Sequence, residues 1–155
     1  MMNTQELLQT LTTQLGKPVA LSPHGTVRLS YQERLNLIVE IQSEFDLHFY
    51  GVLGEVPLTD AEGIYQRLLQ AQLLGQRTGQ TSFAIDTAHH QVLLQRHLDL
   101  RRLEPEDLVD AIQDFFVRLD HWTSAWNVGG EGEAVARPSV AELSPISESI
   151  AWIRG

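Results

Sequence analysis

Three short stretches of this chain hold residue types that can do chemistry. In the first, His89 and His90 are adjacent and Asp86 stands three residues before His89. An Asp–His pair can serve as a general base and, beside a nucleophile, would support hydrolysis. No Gly-x-Ser-x-Gly elbow accompanies it. A metal site needs converging ligands, and neighbours on a strand point to opposite faces. The histidines therefore read as turn residues, and a hydrolase built on Asp86 with His89 or His90 is a rival reading only. In the second stretch Glu44, Asp46 and His48 alternate. They could share one sheet face and hold a cation weakly, but a solvated face explains them as well. The third, Gly129-Gly130-Glu131-Gly132, has the composition of a phosphate loop without its Gly-Lys-Ser/Thr ending, and its acid would repel phosphate. It reads as a linker. The chain has no cysteine, which excludes disulfides, thiolate metal sites and cysteine nucleophiles. No catalytic residue, metal site or cofactor is expected, and the chain reads as a binding module, not an enzyme.

The bulk properties agree. A length of 155 residues, 43% hydrophobic and 20% charged, is that of one globular domain able to bury its own core. Twenty acids face eleven bases, a net charge of −9. Phosphate backbones repel such a surface, so nucleic acid is not an expected partner. The N-terminus, Met1-Met2-Asn3-Thr4-Gln5-Glu6, has neither a basic nor an apolar region of a signal peptide. No apolar run approaches the roughly 18 residues of a membrane span. Together with the absence of cysteine, this fits a cytoplasmic protein.

The elements that would position a site are legible from periodicity. Leu7, Leu8, Leu11 and Leu15 recur at helical spacing. Asn3 and Glu6 form a capping-box pattern ahead of them, and Gly16 and Pro18 end the run. This predicts a helix from Thr4 to Leu15. Three alternating strands follow: Thr26 to Tyr31, one carrying Leu37, Val39 and Ile41, and one carrying Phe45, Leu47 and Phe49. Such alternation means one covered face and one wetter face, as in an antiparallel meander. Gly54 to Pro57 is expected to close the sheet run. Thr59-Asp60-Ala61-Glu62 predicts a capped helix running to about Leu74, with an apolar arc wider than one stripe. The extra face predicts a second contact, either a dimer interface or deeper burial. Two more strands, Thr81 to Asp86 and Gln91 to Leu98, flank the histidine turn. A last helix begins at Pro105 and carries Leu108, Ile112, Phe115, Leu119, Trp122 and Trp126 in one stripe. Asp107, Asp110, Asp114 and His121 lie opposite. Residues 1–126 are read as one α+β domain with a twisted antiparallel sheet, and residues 127–155 as a Gly- and Pro-containing tail.

With the acidity and size, this order of helix, three strands, helix, two strands, helix resembles the class I, Tir-chaperone-like proteins of bacterial type III secretion. Gly51-Val52-Leu53-Gly54-Glu55-Val56-Pro57-Leu58 looks like that family's stretch between third strand and second helix. Leu68-Leu69-Gln70-Ala71-Gln72 looks like its Leu-Leu-x-Ala-Asn signature, with Gln72 in place of the Asn. Phe83-Ala84-Ile85-Asp86 looks like its fourth strand. Leu103 to Trp122 looks like its final helix, with Leu108, Phe115 and Trp122 in place. The likeness spans about Leu7 to Trp126.

The resemblance implies a cytoplasmic homodimer that binds the N-terminal segment of a secreted effector protein and keeps it export-competent without ATP. A related alternative is a chaperone-like regulatory protein that titrates a partner. An extended peptide can add to a sheet edge and place alternate side chains in pockets. Leu7, Leu11, Leu15, Val27, Leu29, Leu37, Val39 and Ile41 are the expected effector-binding residues, some shared with the core. Ile64, Tyr65, Leu68, Leu69, Phe83 and Ile85 are the expected dimer contacts.

Overall fold

The computed structural model describes residues 1–128 and 137–146. In chain order the elements are α1 (Thr4–Leu15), β1 (Thr26–Tyr31), β2 (Leu35–Ile41), β3 (Asp46–Glu55), α2 (Ala61–Ala71), β4 (Ser82–Asp86), β5 (Gln91–Asp99), α3 (Pro105–Val128) and a two-residue β6 (Ser144–Pro145). One antiparallel sheet holds all six strands in the order β4-β5-β3-β2-β1-β6. The α+β class and the sequence of helices and strands are as expected, with β6 added.

Local chemistry explains most boundaries. The Asn3 side chain accepts from the Glu6 amide at 2.9 Å, and the Glu6 carboxylate accepts from the Asn3 amide at 2.8 Å. The capping box is therefore complete. Gly16 closes α1 at φ +65°, where a glycine carries no Cβ penalty.

The third strand departs from expectation. It does not stop before Gly51 but continues to Glu55, with a register shift between Val52 and Gly54 opposite β5. Glycine weakens strand propensity, so the sequence here reads as a break. The second helix departs at both ends. Its N-cap is Asp60 at φ +53°, without a side-chain cap bond, because the Asp60 carboxylate lies over Gly63 instead. The Thr59–Glu62 box is therefore not formed. At the other end α2 stops at Ala71, and the left-handed backbone of Leu74 breaks the short turn Leu73–Gly75 that follows.

Alternation along the strands builds the core. Val27, Leu29, Leu37, Val39, Leu47, Phe49 and Leu94 are buried from one face of the sheet together with Leu7 and Leu11 of α1 and Leu108, Ile112, Phe115 and Leu119 of α3. A smaller cluster of Ile38, Tyr50 and Leu93 forms separately. Burial of each such aliphatic or aromatic side chain stabilises the fold by about 1.5–3 kcal/mol. Asp120 of α3 is also buried, and the Arg34 guanidinium forms an ion pair with it.

Candidate functional site

The chemistry-bearing clusters resolve into turns and surface pairs. Asp86 accepts from the backbone amides of Ala88 (3.1 Å) and His89 (3.3 Å) and lies 2.9 Å from His89 Nδ1. The hydrogen bond from the His89 side chain, above all, holds the Asp86 carboxyl below its ordinary range. Every one of these bonds closes the turn between β4 and β5. His90 sits in that turn at φ +53°. Asp46 behaves similarly. The Ser43 hydroxyl donates to it at 2.7 Å and His97 Nε2 stands 3.2 Å away, and both, Ser43 first, lower its carboxyl. The His48 and His97 rings meet across the strands with centroids 4.8 Å apart. Among the described residues no three histidine or acidic side chains converge as a metal site would require.

The acidic first half of α3 is mostly paired within the chain. Asp107 accepts from the Glu104 amide, Glu104 meets the N-terminal ammonium at 2.9 Å, and Asp110 meets Arg137 at 2.7 Å. Asp114 lies between Arg96 (3.7 Å) and Arg118 (3.1 Å). The exposed pairs among these, Glu104 with the N-terminal ammonium and Asp110 with Arg137, add little stability. They do dilute the stripe as a recognition surface for a basic partner.

What remains are two apolar regions at opposite ends of the sheet. The first is formed by α1, β1 and the segment 137–146. Leu7, Leu11, Leu15, Val27, Leu29, Leu37 and Val39 are each at most 5% exposed, and Ile41 is partly buried against them. The same cluster takes in Val140 and Leu143. The single 3-10 turn Val140–Glu142 lies against α1 and α3, and β6 pairs with the outer edge of β1. An open cavity of about 420 Å³ adjoins that edge, lined by Val19, Leu21, Val27, Arg28, Pro145 and Ile146 among others.

The second region is α2 with β4, at the far end of the sheet. Only Ala71 of α2 is buried, so the wide apolar arc is not accounted for by deeper burial in this chain. Leu69 is 65% exposed, Leu73 61% and Ile85 47%. Ile64 and Tyr65 are half-buried. Tyr65, Leu68 and Phe83 pack on the main core, where Phe83 makes an edge contact with Trp122 at 5.0 Å between centroids. Leu58, Leu73 and Leu74, exposed like Leu69, were not among the expected contacts. Leu73 continues the i, i+4 row from Leu69 and was legible as such. A shallow groove of about 750 Å³ runs between Tyr65, Leu69 and Leu73.

Among the described residues no helix is long and apolar enough to cross a membrane. The Tir chaperone protein (CesT) family model matches residues 6–123. No curated protein matches in sequence. Among solved structures, the chain is similar to one in the heterodimeric ExoU–SpcU complex from the type III secretion system of Pseudomonas aeruginosa, with 25% identity. That match covers 77% of this chain and 93% of the other, at a TM-score of 0.62. It is also similar to a chain of the ExsC–ExsE complex (18% identity, 81% and 94% covered, TM-score 0.64). A third is in the complex of the Yersinia pestis type III secretion chaperone SycH with a stable fragment of YscM2 (18% identity, 74% and 94% covered, TM-score 0.57).

Proposed function

The chain belongs to the Tir chaperone protein (CesT) family, and from that premise we propose that it is a type III secretion chaperone. It binds the N-terminal segment of a secreted effector in the cytoplasm and keeps that segment export-competent without ATP. The observation that carries this reading is the family match over residues 6–123. It is supported by folds of the same kind in a type III secretion chaperone complex and in a heterodimeric complex from a type III secretion system. The role is non-enzymatic, which agrees with an Asp86–His89 pair whose hydrogen bonds are spent on a turn.

Residues 1–126 form the body of the chaperone domain in this proposal, and residues 137–146 of the segment after it add a turn to the core and a strand to the sheet. The effector segment is read at the α1–β1 end, where Leu7, Leu11, Leu15, Val27, Leu29, Leu37 and Val39 are core residues that share one apolar cluster with Val140 and Leu143, and Ile41 packs at its margin. A second copy of the chain covers α2 and β4 through Leu69 and Ile85, with Ile64 and Tyr65 beside them, while Leu68 and Phe83 of the expected set serve the subunit's own core. A two-fold contact would set one α2 groove against its own copy, removing the exposed Leu69 and Ile85 from water. Co-purification from the native cytoplasm tests the function. One large partner, held through its N-terminal region, should accompany a dimer. Recovery of free monomer alone under every growth condition would refute the proposal.

A further inference from the structure

The outer edge of β1 is occupied by the chain's own C-terminal region. Leu29 pairs with Pro145 and Ser30 with Ser144, and the Ile146 amide donates to the Arg28 carbonyl at 3.0 Å. Ahead of this pairing, Ser139 and Glu142 cap one 3-10 turn. That turn inserts Val140 and Leu143, each at most 2% exposed, into the cluster that holds Leu7, Leu11 and Leu29. Arg137 anchors the start of the segment, meeting Asp110 at 2.7 Å and donating to Gln113 at 3.2 Å.

This is the geometry in which an extended peptide docks on a sheet: main-chain pairing to an edge strand with side chains dropped into adjoining pockets. The attachment is short, with two residues in the ladder and two apolar anchors. Pro145 has no N–H to give, so β6 cannot pass the pairing on to a further strand. We infer that residues 137–146 are an exchangeable internal occupant of a peptide-binding groove. An incoming segment with two apolar side chains three residues apart, then an extended stretch, displaces them. The inference deepens the chaperone reading and rests on it for the identity of that segment as an effector's. A permanent edge cover, which would only guard β1 against aggregation, is the alternative.

The groove is tested without any effector, so failure to find one leaves the result standing. The probe is a fluorescent peptide, Arg-Pro-Ser-Val-Ala-Glu-Leu-Ser-Pro-Ile, copying residues 137–146. It is titrated against the full chain, a Leu143→Asp variant, and a Ser30→Cys/Ser144→Cys variant. Those two serines are directly opposite, and the chain has no other cysteine, so oxidation ties the segment down in one way only. Exchange predicts saturable binding to the native chain and about tenfold tighter binding to Leu143→Asp, because the tethered competitor is weakened. It also predicts binding lost on oxidation of the double variant and restored on reduction. A peptide with Asp at the positions of Val140 and Leu143 should not bind. Equal binding to oxidised and reduced forms, or no binding to any variant, would overturn the inference. Should Leu143→Asp fail to fold, amide exchange on the native chain decides. The Ile146 amide should exchange about a hundredfold faster than the amides of β3, and equal protection of the two would show a permanent cover.

Discussion

Gly54 of β3 lies so close beneath the Trp126 indole of α3 that a Cβ added to it would overlap the ring. Gly51 is placed alike, where a Cβ would come within 2.7 Å of Leu119 and 3.1 Å of the Asn36 carbonyl oxygen. The two glycines let α3 settle onto β3 at backbone distance, which explains why a strand tolerates them. Gly51→Ala should cost about 1–3 kcal/mol by overpacking, since Leu119 is fully enclosed. Gly54→Ala should cost less, because Trp126 is only partly buried and can swing outward, shifting tryptophan emission to the red. Urea unfolding of both variants checks this. An unchanged midpoint for Gly51→Ala would contradict the packing.

These glycines also mark where sequence reading ends. The boundaries of α1 are legible because its cap, Asn3 with Glu6, and its stop, Gly16, are local chemistry. The length of β3 is not, since a glycine pair signals a break unless the helix packed on it is known. The start of α2 misleads for a related reason. The Thr59–Glu62 pattern is present, but a left-handed Asp60 moves the cap. Alternation tells which strand face is covered, not by what, so the burial of Val27 and Leu29 was legible while their contribution to a core shared with Val140 and Leu143 was not. The capping pattern Ser139–Glu142 did lie in the sequence. A two-residue strand has no periodicity to announce it.

Leu68 and Leu69 are neighbours in sequence and about 100° apart around α2, and the proposed dimer separates them. Leu69 is 65% exposed, whereas Leu68 packs on the main core and lines a cleft with Trp122 and Trp126. Leu69→Asp should therefore convert dimer to monomer with a stability change of the subunit within about 0.5 kcal/mol, as for other surface substitutions. Leu68→Asp should destabilise the subunit itself by placing a charge against the aromatic cleft. Sedimentation velocity separates the two effects. A Leu69→Asp variant that stays dimeric would move the interface off α2.

Acid should act on the two turn aspartates. Asp86, bonded first by His89, and Asp46, bonded first by Ser43, both have carboxyls held below the ordinary range in the folded chain. An unfolded carboxyl titrates near pH 4. A depressed folded value means the contribution is complete above that pH and is lost as pH falls through the folded values. Asp46→Asn with Asp86→Asn should then lower the urea midpoint at pH 7 and flatten its decline below about pH 4. An acid limb as steep as that of the native chain would place the loss of stability in other groups.

The last turn of α2 is tied to β4 by one side chain. Gln72 Oε1 accepts from the Phe83 amide at 2.6 Å, and Phe83 in turn packs on Trp122. The bond holds an edge strand against the helix that carries the proposed dimer groove. Removing the acceptor leaves a partly buried amide without its partner, so Gln72→Ala should cost about 1–3 kcal/mol. Gln72→Asn, the residue of the related family pattern, keeps the amide group but shortens the arm by one methylene. It should recover only part of the loss unless α2 moves toward β4. Amide exchange at Phe83 reads the contact directly: faster in Gln72→Ala, intermediate in Gln72→Asn. Unchanged protection of Phe83 in Gln72→Ala would show that sheet pairing with Leu94, and not the helix, fixes this strand.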